Sequence, residues 1–74
     1  MDETKQFAHD LADRIYCRVR DQGISSAQAA SLFLDEAGQR ARHMEAQGKS
    51  GSEIGAWVEA VAVAYGTRIE ELTR

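Results

Sequence analysis

The chain has 74 residues, a formal net charge of −3, a single cysteine and no proline. That length makes one domain, residues 1–74, and a domain so small buries only roughly 60% of the surface of its unfolded chain, so its own core is marginal without outside help. One cysteine excludes an intrachain disulfide framework and suits a reducing cytoplasm, His9, Cys17 and His43 lack metal-ligand spacing, and the acidic balance counts against nonspecific binding to nucleic acid.

Oligomerisation is the source of stability that these exclusions leave. Residues 1–10 carry Asp2, Glu3 and Asp10 and no apolar core, so no secretory signal is expected there. No apolar stretch approaches the roughly 20 residues that span a bilayer, so no membrane partner is expected.

The first predicted helix covers Thr4 to Gln22. Phe7, Leu11, Ile15 and Val19 recur at four-residue steps with Ala8, Ala12 and Tyr16 alongside, the spacing of one helical face. Gly23 supplies the stop. Asp10, Asp13, Arg14, Cys17 and Asp21 fall on the water side, where Asp10 and Arg14 are spaced for a local ion pair.

Ser25-Ser26-Ala27-Gln28 has the form of a capping box and starts a second helix. Ala30, Phe33, Leu34, Ala37, Ala41 and Met44 keep helical spacing, which fits one helix to Ala46. Gly38 beside Asp35-Glu36 equally permits two short helices broken near 35–38. Residues 37–50 carry a local net charge of +2 within the acidic chain.

Gly48-Lys49-Ser50-Gly51-Ser52 is a loop by composition, and Ser50 with Glu53 makes another box. The next helix is expected from about Glu53 to Tyr65. Nine of its ten residues from Ala56 to Tyr65 are apolar, with Glu59 the one exception. A helix apolar nearly all round must be covered nearly all round. The chain has little left to cover it with, so a second copy or a partner protein is the natural cover. Gly66 is expected to stop this helix, and Thr67-Arg68-Ile69-Glu70 to cap a short last helix over Arg68–Thr73. The fold expected is all-α, a bundle of three to five helices.

In this order the signals resemble the Cro/repressor-type (XRE-like) helix-turn-helix family over roughly Leu11 to Leu72. Leu11-Ala12-Asp13-Arg14-Ile15 is similar to the family's first helix, and Asp21-Gln22-Gly23-Ile24-Ser25 to the junction that follows it. Arg42-His43-Met44-Glu45 before Gly48-Lys49 resembles the end of a recognition helix. Val61-Ala62-Val63-Ala64-Tyr65-Gly66-Thr67-Arg68-Ile69-Glu70-Glu71-Leu72 resembles the closing segment. The middle departs from the pattern: at Leu34–Gln39 the family's turn glycine is missing or displaced.

The resemblance implies a small dimeric DNA-binding transcriptional regulator of a bacterium or mobile element. Gln39, Arg40, Arg42 and His43 would then face base edges, since Arg pairs with guanine and Gln with adenine, while Arg14, Arg18 and Lys49 would hold phosphates. A dimer would set two such segments roughly 34–36 Å apart on DNA. The competing function is a small acidic inhibitor or adaptor, of phage or plasmid type, that binds a host protein through the apolar third helix. Trp57, Val58, Val61, Val63 and Tyr65 are the interface residues expected for a homodimer or such a partner, because aromatic anchors dominate interfaces. The two functions part at residues 34–40, where a turn supports DNA binding and an unbroken helix supports protein contact. The sequence offers no nucleophile–base pair, no glycine-rich phosphate loop and no metal cluster, so neither an enzyme, nor a cofactor, nor a small-molecule substrate is expected.

Overall fold

The computed structural model describes residues 2–74. It consists of three α-helices, α1 (Glu3–Gln22), α2 (Ser26–Ala46) and α3 (Gly51–Thr73), with no strand among the described residues. Among the described residues, no helix is long and apolar enough to cross a membrane.

Local chemistry fixes each start. The Asp2 carboxylate accepts from the Thr4 N–H at 3.0 Å and caps α1. Ser25 and Gln28 form a reciprocal box on α2: Ser25 Oγ accepts from the Gln28 N–H at 3.1 Å, and the Ser25 N–H donates to Gln28 Oε1 at 2.9 Å. Ser50 and Glu53 repeat that arrangement on α3 at 3.1 and 3.4 Å. Such caps contribute about 1 kcal/mol each. Gly23 ends α1 at φ +66°, a left-handed conformation that glycine adopts without a Cβ penalty, and its N–H donates to the Val19 carbonyl at 3.0 Å.

Helix α2 is a single unbroken helix, so residues 34–40 contain no turn. A glycine at position 38 costs about 1 kcal/mol relative to alanine. Continuity keeps Phe33, Ala37, Ala41 and Met44 turned toward the other helices, and that packing outweighs the penalty.

At the C-terminal end the expectation fails. Helix α3 passes through Gly66 and Thr67 without interruption, so Gly66 is no stop and no separate short helix follows. Thr67 is exposed inside the helix and caps nothing. Continuing the helix holds Arg68, Ile69 and Leu72 on the side that already carries Val61 and Tyr65. A side chain added at Gly66 meets open space. Gly66→Ala should therefore raise stability by about 0.5–1 kcal/mol in a urea titration. A loss of stability would place a helix end at Gly66.

Helices α1 and α3 run parallel. The Phe7 ring lies 5.3 Å from that of Trp57 near their N-termini, and Asp13 lies 2.9 Å from Arg68 farther along. Ala8 and Ala12 are wholly buried beside Leu11, Ile15 and Val61, and these small side chains let the two helices make the most extensive contact in the fold. Helix α2 returns antiparallel and is held more lightly, with Phe33 against Tyr65 at 4.5 Å. The resulting bundle is flattened, 38 × 23 × 15 Å. Its accessible surface is 5067 Å². A monomer of 8.2 kDa ordinarily exposes about 4,500 Å².

Candidate interaction surfaces

Helix α3 is divided lengthwise. Its inner side carries Ile54, Trp57, Val58, Val61, Tyr65, Ile69 and Leu72, all buried or half-buried. Of the five residues expected at an interface, Val61 is completely buried within its own chain, Trp57 packs on Phe7, Tyr65 packs on Phe33, and Val58 is half-buried. Val63 alone projects outward, 66% exposed.

The outer side of α3 presents small residues. Ala56, Ala60 and Val63 line a groove of about 630 Å³ between this helix and the N-terminal half of α1, with Lys5 and His9 on the α1 wall and Glu59 on the α3 wall. The alanine spacing of four along residues 56, 60 and 64 was the available signal for this strip, since residues four apart share one helical face. Lys5 and His9 give no such signal.

At the opposite end a second apolar notch of about 370 Å³ opens among Ile15, Val19, Ile24, Tyr65 and Ile69. Burial there raises the Tyr65 phenol above its ordinary value of 10.0. The folded state thus favours the neutral ring, so this contribution is complete below about pH 10 and is lost as pH rises through the raised value. Tyr65→Phe should flatten the alkaline limb of a thermal-stability profile, and an unchanged limb would mean a solvated ring.

The residues expected to read DNA do not share one face. Gln39 and His43 gather with Arg40 and Glu36 beside Phe7 in a shallow depression. Arg40 also borders a pocket at the bundle end with Lys49, above the Phe7 and Trp57 rings. Arg42 lies nine positions after Phe33, half a turn away round the helix, and is exposed on the other side. Arg14 is exposed on α1, and Arg18 sits near Gln28 and Ser31 of α2. None of Arg14, Arg18, Arg40, Arg42 and Lys49 forms an ion pair among the described residues. Asp10 accepts from the Gln6 side chain at 2.8 Å instead of pairing with Arg14.

The ion pairs fall elsewhere. Arg68 Nε donates to Asp13 at 2.9 Å and approaches Glu71 at 3.9 Å, and the Asp13 hydrogen bond raises the guanidinium pKa. This link between residues 55 apart in sequence has no local signal. Arg20 pairs with Asp21 at 3.1 Å and lies over the Tyr16 ring at 5.8 Å, with the exposed Cys17 thiol 4.0 Å away.

No family model, curated protein or solved structure matches this chain.

Proposed function

We propose that the chain is a small acidic helical protein that acts by binding another protein through the outer side of α3, as an inhibitor or adaptor. The observation that carries this proposal is the groove at Ala56, Ala60 and Val63, apolar and open to solvent on a helix whose inner side is already occupied. Two further observations support it. The surface exceeds the ordinary monomer value by roughly 500 Å². Helix α2 is unbroken where a DNA-reading module needs a turn.

A second reading, sequence-specific DNA binding, is favoured by Arg40, Arg42 and Lys49, which form no ion pair among the described residues, and by the exposed Gln39 and His43. Against it stand the net charge of −3 and the division of those side chains around α2.

The two are separated by affinity capture from cells that carry the protein, run beside gel-shift assays with DNA from its own locus at low salt. Protein contact requires capture of a defined partner that Val63→Glu abolishes and Arg42→Ala does not, with no shifted DNA. Shifted DNA, weakened by about 1–3 kcal/mol in Arg40→Ala or Arg42→Ala, would replace it with the DNA-binding account.

A further inference from the structure

We infer that the recess at the end of the bundle, beside the Phe7 and Trp57 rings, binds a small molecule that joins an aromatic ring to an anionic head, namely a nucleoside monophosphate. Its volume of about 350 Å³ falls in the range of about 300–1,000 Å³ that small-molecule sites occupy. It is more enclosed than the groove at Val63 or the notch at Val19, and its lining is chiefly polar where theirs is chiefly apolar. All three helices and the loop before α3 contribute to it, so only the folded chain brings these side chains together.

Arg40 comes to the recess from α2 and Lys49 from the loop. Neither forms an ion pair among the described residues, not even Arg40 with Glu36, which lies in the adjoining depression. Like charges so placed favour an anion between them. A guanidinium fork and an ammonium are the side chains that hold phosphate oxygens best. Glu3, on the α1 wall, is the one carboxylate of the lining. It directs the anionic head toward Arg40 and Lys49, and it can accept from the amino group of a base. The ring has its own place. Phe7 and Trp57 are half-buried and border the recess, and every nucleobase has a π-face to lay on such rings. A phosphate alone would leave the rings unused, and an uncharged aromatic molecule would leave the cations unused. The lining includes none of Ala56, Ala60 and Val63, so the inference stands apart from the protein-contact function.

Trp57 is the only tryptophan of the chain, so its fluorescence reports on this recess directly. Titrating the full chain with adenosine or guanosine monophosphate should change that fluorescence saturably, with half-saturation below about 1 mM. In calorimetry, ribose phosphate, inorganic phosphate and the free nucleosides should each bind at least about tenfold more weakly. Arg40→Gln and Lys49→Gln, both at exposed positions, should each weaken the nucleotide by about tenfold with unchanged circular dichroism. Arg42→Gln, on the other side of α2, should leave the affinity as it is. No saturable response to either nucleoside monophosphate overturns the inference. So does inorganic phosphate or ribose phosphate binding as tightly as the nucleotides, or a response indifferent to both Arg40→Gln and Lys49→Gln.

Discussion

Leu11→Ala is expected to cost about 2–5 kcal/mol, enough to leave much of the population unfolded at room temperature. The reason is how few large side chains this fold seals from water. Among the described residues, three of the six buried apolar ones are alanines, and only Leu11, Ile15 and Val61 of the six have branched side chains. Leu11 is 1% exposed and belongs to α1, whose contact with α3 is the most extensive in the fold. With α2 held lightly, little can move in to fill the space. In urea, where a small domain loses about 1 kcal/mol per molar, the midpoint should fall by roughly 2 M or more. A fall well under 1 M would mean that the α1–α3 contact is not the centre of stability.

Trp57→Ala is expected to cost about 3 kcal/mol, the lower end for an aromatic truncation, because the ring is half-buried. Part of that loss belongs to the tilted contact with Phe7 at 5.3 Å. A double-mutant cycle with Phe7→Ala should return a coupling of about 0.5–1.5 kcal/mol. Trp57 spent on a partner protein, as its place in the apolar run suggests, would show no coupling to Phe7.

The helix starts were legible because capping is local chemistry. Ser25 with Gln28 and Ser50 with Glu53 each form the box that their spacing announces, and Gly23 takes the left-handed turn. Thr67 with Glu70 has the same spacing and forms none. A cap is worth about 1 kcal/mol. Full burial of an isoleucine or leucine side chain is worth about 1.5–3 kcal/mol, and even partial burial of Ile69 and Leu72 together exceeds one cap. Gly38 inside α2 follows the same logic. Tertiary packing decides in both places, and sequence spacing carries no measure of it.

The candidate surface was half legible for a related reason. The apolar excess of residues 56–65 marks α3 as a helix needing cover on more than one side. Which side the chain itself covers depends on Phe7 and Phe33, which lie on other helices and meet Trp57 and Tyr65 only after folding. The largest side chains therefore went inward and the small ones remained outside, the reverse of an assignment that ranks interface residues by size. The basic residues of α2 suffered from the same lack of depth. Close in sequence, Arg40 and Arg42 point to different sides because residues two apart on a helix do not share a face.

The central claim is that α3 keeps its inner side for its own core and its outer side for a protein partner. Methyl NMR of the natural chain, alone and titrated with the partner captured from its cells, tests it most directly. The account predicts shifts on titration at the methyl groups of Ala56, Ala60 and Val63, with those of Leu11, Val61 and Leu34 unmoved. Shifts centred on Leu34 with Val63 silent, or no change at any methyl group on adding the partner, would contradict it.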